Sequence, residues 1–279
     1  MNPDDYCEAK AAPAGSDRHY ALLGLGSRER AALNALWTLE REVLDTPADC
    51  RDPGVARTKL DWWRAELGRL AAGAPAHPAT RALAPHLPTR GLDPAPLGEL
   101  VDAAGILLDY DAFPGFEALA GWCHRSGSTP LLFAAELLGL QDRAAAVFAH
   151  ELGFGLALLA RLREVRADAL AGRFFVPEDE MREAGVTHPD LYAGSGSAHT
   201  RALFARQGER IRATFARARA GLPDGEHARL APLLVRLALA EALLDEIEHD
   251  GWRLLEHRVE LTPLRKLWIA WNTLRRARA

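Results

Sequence analysis

The sequence predicts an all-α protein folded as one domain, residues 1–279. Three observations carry that expectation. Leucine and alanine dominate while isoleucine is rare, which favours helices over sheets. No run alternates apolar and polar residues with the period of two that a half-buried strand needs. The chain has 279 residues, 48% of them hydrophobic and 26% charged, enough to bury a substantial core without cross-links.

The helices can be placed in order from their caps and stops. Ser27 caps a helix running to about Asp45, with Leu33, Leu36 and Leu39 on its apolar stripe. Pro47 then stops it. Asp52-Pro53 reads as the cap and first residue of the next helix, through roughly Leu70. The stretch Gly73 to Pro96 is rich in proline and alanine and holds one short helical piece. Further helices fit 97–111, 114–125, 129–140, 143–170, 178–184, 199–220, 226–249 and 263–277. Gly194-Ser195-Gly196-Ser197 is a loop. Residues 1–16 are polar and acidic and read as a flexible tail. They lack the basic and apolar regions of a signal peptide.

Charge and cysteine content exclude several classes. A net charge of −4 and a pI near 6.2 lack the basic excess of a nucleic-acid binder. Cys7, Cys50 and Cys123 form no CxxC pair, so a reducing compartment such as the cytoplasm fits better than a disulfide framework. No uninterrupted apolar run of about 18 residues is evident, so no membrane-crossing helix is expected. The histidines form no HxxxH pair on one helix, which leaves no zinc site. No glycine-rich phosphate loop or nucleophile elbow occurs.

Two acidic spacings carry the chemistry. In the helix expected over 143–170, Glu164 and Asp168 are four apart and share a face. Behind them on that face stand Arg161, Ala160, Ala157 and Gly153. Small residues there suit a cavity wall or a very close helix contact. Glu164 paired with Arg161 on a solvated face is the simpler alternative. The second spacing is Asp45-Thr46-Pro47-Ala48-Asp49. Two such pairs facing each other could hold Mg²⁺, which takes oxygen ligands and bridges to phosphates. Pro47 breaks the helix between those aspartates, so they need not share a face.

The segment LARLREVRADALAGRFFVPEDEMREAGV resembles the second acidic motif of the squalene/phytoene synthase family. Arg163, Val165, Asp168, Gly172, Arg173, Pro177, Gly185 and Val186 match at the family's spacing. The closing ALLDEIEHDGWRLLEHRVELTPLRKLWIAW and the early NALWTLEREV with DPGVARTKLDWWRAEL are similar as well. The resemblance covers about residues 17 to 275. It implies the isoprenoid synthase fold, an all-α helical bundle around a deep central cavity. It also implies head-to-head condensation of prenyl diphosphates with Mg²⁺, in isoprenoid biosynthesis. Asp45, Asp49, Glu164 and Asp168 would then be metal ligands, and Arg41, Arg163 and Arg173 would grip diphosphate.

The departures point the other way. Leu44 and Ala48 stand at two aspartate positions of the first motif. Glu164 replaces an aspartate, and its extra methylene moves the carboxylate by roughly 1 Å, which octahedral Mg²⁺ tolerates poorly. Ala157 and Ala160 replace a glutamine and an asparagine. Phe174 and Phe175 remove a tyrosine hydroxyl. This pattern is similar to a divergent branch that includes a respiratory complex I assembly factor. Two readings therefore stand: a prenyl diphosphate transferase, or an inactive member that binds an isoprenoid lipid or a protein partner. His124, in Trp122-Cys123-His124, is expected near the cavity. Of the adjacent Trp62 and Trp63, one should enter the core. The basic 263–279 helix, with Leu267, Trp268, Trp271 and Leu274 on one side, suits either core packing or peripheral contact with the inner face of a membrane.

Overall fold

The computed structural model describes residues 2–140 and 142–278. Met1, Gln141 and Ala279, two of which end the expected ranges 1–16 and 263–279, lie outside the described residues. The chain is 74% helical with no strand among the described residues; its one β feature is an isolated bridge between Ala112 and Phe174.

In chain order, the helices are α1 (Pro3–Ala11), α2 (Asp17–Ala21), α3 (Ser27–Leu44), α4 (Thr46–Asp49), α5 (Pro53–Ala71), α6 (Pro78–Leu83) and α7 (Gly98–Asp109). Then come α8 (Phe116–Cys123), α9 (Thr129–Leu137), α10 (Ala145–Arg163), α11 (Val165–Leu170), α12 (Glu178–Glu183) and α13 (His188–Tyr192). The chain closes with α14 (Ala198–Ala220), α15 (Ala231–His249) and α16 (Pro263–Ala277).

Helix α10 is the axis. It packs on α8, α9, α14 and α15, and it buries Phe148, Leu152, Leu158, Leu159 and Leu162. That role explains its composition. Contrary to the sequence expectation, this helix is long and apolar enough to cross a membrane, and half of it is buried inside the bundle. Of its less buried residues, Leu156, Ala157, Ala160 and Arg161 line the cavity described below. Around it, Trp37, Trp63, Phe204 and Phe215 form the largest fully buried side chains.

Several local expectations hold and several are corrected. Asp52 caps α5 through Val55 N–H at 3.0 Å, with Pro53 in the first turn. Trp63 enters the core, while Trp62 stays exposed under Arg69. Ser27 is not a cap: Gly26 holds that position, and Ser27 is already helical. The described part of the expected tail, residues 2–16, is not free, because α1 lies on α3 and α6 and buries Cys7 and Ala11. The loop after α5 is fixed by the buried Glu66, which accepts from the N–H groups of Ala76 and His77, both at 2.8 Å, and from Thr80. The expected helices 114–125 and 129–140 join through a π-helical turn at His124–Ser128.

That turn crosses α10 at very short range. A methyl group on Gly153 would lie 2.3 Å from the Gly127 carbonyl oxygen, and one on Gly127 would lie 2.4 Å from the Gly153 carbonyl oxygen. The small residues on the α10 face therefore serve a backbone-to-backbone contact at Gly153. We predict that Gly153→Ala destabilises the protein by about 1–3 kcal/mol, the usual cost of overpacking. Urea denaturation checks this, and a midpoint equal to wild type would refute the contact.

Candidate functional site

Two acidic segments meet at one mouth of the bundle. The first is the α3–α4 junction. Asp45 ends α3, and Thr46–Asp49 turns as one short helix because Pro47 starts a new helical turn and cannot continue the old one. The second is the junction of α10 and α11. Glu164 sits between them at φ −94°, ψ 12°, so the single helix expected over 143–170 is interrupted there. Its carbonyl still accepts from Asp168 N–H at 2.8 Å. Arg173 joins the two segments: its Nη2 donates to the Pro47 carbonyl at 3.0 Å.

Each carboxylate has a cationic neighbour. Asp168 accepts from Arg161 Nη1 through both oxygens, at 3.0 and 3.1 Å. Glu164 accepts from Arg258 Nε at 2.7 Å, so the expected Glu164–Arg161 pair is not formed. Asp45 accepts from Arg41 Nε at 3.3 Å, and Asp49 lies 4.0 Å from Lys59. Burial pushes the Asp168 carboxyl up to about 6; the charge of Glu164 adds to this, and Arg161 and Arg173 oppose it. Burial likewise raises Asp45, against the pull of Arg41.

The expected phosphate-gripping arginines are divided. Arg173 is at the mouth. Arg41 also donates to the Lys10 carbonyl at 3.2 Å, beneath α1. Arg163 donates to Glu260 at 2.8 Å, and its buried Nε has no acceptor. The donor chemistry suits Mg²⁺, which is commonly held by one or two carboxylates together with substrate phosphates. The set is not a preformed cage: among the described residues, no three His, Cys, Asp or Glu side chains gather closely enough to hold a metal.

Below the mouth lies a cavity of about 210 Å³. Its wall is formed by Arg18 of α2, Glu40 and Leu44 of α3, Trp122 of α8, Ala157, Ala160 and Arg161 of α10, and Arg236 of α15, among others. The expectation that small residues form a cavity wall thus holds at Ala157 and Ala160. His124 does not belong to that wall. It is exposed and pairs with His150 at 3.1 Å. Phe174 stacks on His188, while Phe175 packs against Trp122 and under Arg161. Sequence reasoning missed Arg18, Glu40 and Arg236. The last left a visible signal, a lone charge in the apolar run APLLVRLALA.

A family model described as squalene/phytoene synthase matches residues 11–265. The chloroplastic phytoene synthase of Narcissus pseudonarcissus is 26% identical, over 94% of this chain and 64% of its own length. This chain therefore spans less than two thirds of that relative. The 15-cis-phytoene synthase of Synechococcus elongatus is 26% identical, over 88% of this chain and 84% of its own. Among solved structures, a dehydrosqualene synthase in complex with ligand superposes with a TM-score of 0.86 at 17% identity, covering 99% and 96% of the two chains. Squalene synthase HpnC from Alicyclobacillus acidocaldarius gives 0.78 at 22% identity, covering 90% and 95%. These structural likenesses establish the fold, the isoprenoid synthase-type helical bundle.

The raised Asp168 value has a thermodynamic consequence. A carboxyl whose folded value exceeds its unfolded value of 3.8 contributes stability below about pH 4 and loses it as pH rises through about 6. We predict that the stability of wild type, relative to Asp168→Asn, falls by about 2–3 kcal/mol between pH 4 and pH 7. Denaturation of both proteins across that range measures it. A difference that stays flat would show that Asp168 titrates normally.

Proposed function

Because the chain belongs to the squalene/phytoene synthase family, we propose that it binds a prenyl diphosphate at the mouth and acts as a prenyl transferase of that kind. The observation that carries this reading is the bond from Arg173 to the Pro47 carbonyl, which holds the two acidic segments against each other. Arg173, with Arg41 and Arg163 on the flanking elements, offers the planar forked donors that match phosphate oxygens. Asp45, Asp49, Glu164 and Asp168 would hold Mg²⁺. When bound, Mg²⁺ would neutralise diphosphate charge and polarise the leaving group. Arg161 and Arg258 hold Asp168 and Glu164 in the absence of that charge and offer donors to a diphosphate as it arrives.

A second reading is favoured by the cavity. About 210 Å³ is smaller than the ~300–1,000 Å³ of ordinary ligand pockets, and its wall carries three arginines. That suits binding of one isoprenoid lipid, or a role alongside a protein partner, better than joining two prenyl chains.

Titration calorimetry with a non-reactive farnesyl diphosphate analogue separates the readings. For a transferase, we expect binding that requires Mg²⁺, is lost or at least tenfold weaker in Asp168→Ala, and survives in Glu164→Asp. Binding that ignores Mg²⁺ in all three proteins would leave the binding role standing and end the transferase reading. So would no binding in any of them.

We also propose peripheral contact with an anionic membrane through α16. Lys266 ties this helix to Asp17 at 2.8 Å, and Ala270 and Ala277 are buried. Ile269 and Leu274 pack against the core, so Leu274 leaves the expected apolar side, while Leu264, Leu267, Trp268 and Trp271 are exposed, beside Arg275. Such a face, rimmed by basic residues, suits a lipid interface. Trp268→Ala/Trp271→Ala should pellet less with anionic liposomes at low salt. Equal pelleting of wild type and variant would remove α16 as the contact.

A further inference from the structure

The central cavity carries a charge that the mouth does not use. Arg236 extends from α15 into the cavity wall. No described residue accepts a hydrogen bond from it; its guanidinium lies over the Trp37 ring, 5.6 Å from the centroid, and feels the more distant carboxylates of Glu40 and Asp17. The same ring lies 5.3 Å from Arg18, which is itself paired with Glu40 at 2.5 Å. Arg161 is spent on Asp168. Arg18, Arg161 and Lys266 are each paired, with Glu40, Asp168 and Asp17, so four cations stand against three carboxylates and the one in excess is Arg236. Burial, and then repulsion from Arg18, push Arg236 down to about 10, so it stays charged at neutral pH. A buried charge without a partner is costly, and an anion placed against it removes that cost.

We propose that this cavity binds an organic monoanion, a carboxylate on an apolar body. The carboxylate pairs with the Arg236 fork, and the body lies among Leu131, Leu156 and Trp122. The charge excess of one selects a monoanion over a diphosphate. The size fits as well. A cavity of about 150 Å³ holds benzene, so about 210 Å³ holds a ring with a carboxylate attached. This site goes beyond the mouth reading: its anion-binding group, Arg236, is none of the residues assigned to diphosphate or Mg²⁺, and the mouth enters only through the Arg161–Asp168 pair.

Benzoate and its neutral isostere benzamide are the probes. Thermal unfolding of the full chain is followed with each, against sodium chloride at matched ionic strength. Saturating benzoate should raise the Tm of wild type and of the mouth variant Arg173→Ala by about 3 °C or more, while benzamide should not. Arg236→Leu should lose the response. Tryptophan fluorescence of wild type alone gives a second measurement, because Trp37 and Trp122 border the site. Equal effects of benzoate and benzamide, no effect of either, or an undiminished benzoate response in Arg236→Leu would overturn the proposal. A farnesyl diphosphate analogue that fails to bind, with the benzoate response intact, would overturn the mouth reading alone.

Discussion

At its crossing with the His124–Ser128 turn, α10 has no side chain to spare. Its Gly153 backbone meets the Gly127 backbone, and neither position has room for a methyl group. This contact sets the distance between the axial helix and the α8–α9 layer, and the interior geometry follows from it. One turn further on, Ala157 and then Ala160 keep the same face small and line the cavity. Arg161 follows at the edge of that cavity, and the helix breaks three residues later at Glu164. Close contact, cavity and acidic mouth are successive turns of one helix face.

Electrostatics distinguish two carboxylates that the linear sequence makes look equivalent. Glu164 is held by Arg258 from the loop before α16, an arrangement of half-exposed groups in which solvent screens much of the attraction. Asp168 is more enclosed. Its ion pair with Arg161 does not repay what burial costs, so its carboxyl is pushed up. A straight helix would place the two side chains one above the other, whereas here they turn to different arginines on different elements.

The fold was legible because helix signals are local. Asp52-Pro53 capped α5 as expected, and the helix expected over 178–184 appears as α12. Signals that depend on distant partners were not legible. Residues 1–16 look like a tail because their composition is polar, yet Tyr6 and Lys10 reach Glu42, and Cys7 is sealed against α3. His124 looked like a cavity residue by position in a motif, but the π-helical turn rotates it outward to His150. At the mouth, the four carboxylates were identified by spacing. Two of the cations that engage them, Arg258 and Lys59, were not, because they arrive from 94 and 10 residues away.

Arg161 belongs to the mouth and to the cavity at once. It holds both oxygens of Asp168, lies over the Phe175 ring, and lines the cavity beside Ala160. One guanidinium cannot serve a mouth carboxylate and a cavity anion fully at the same time. A negative charge in the cavity competes with Asp168 for it, and a cation at Asp168 releases it. Any ligand that prefers one of these arrangements must change the affinity of the other site by the same factor, since coupling of binding free energies is reciprocal. The presence of Arg18, Arg161 and Arg236 in the cavity wall therefore has a consequence beyond polarity. It makes the interior of this bundle electrostatically continuous with its acidic entrance.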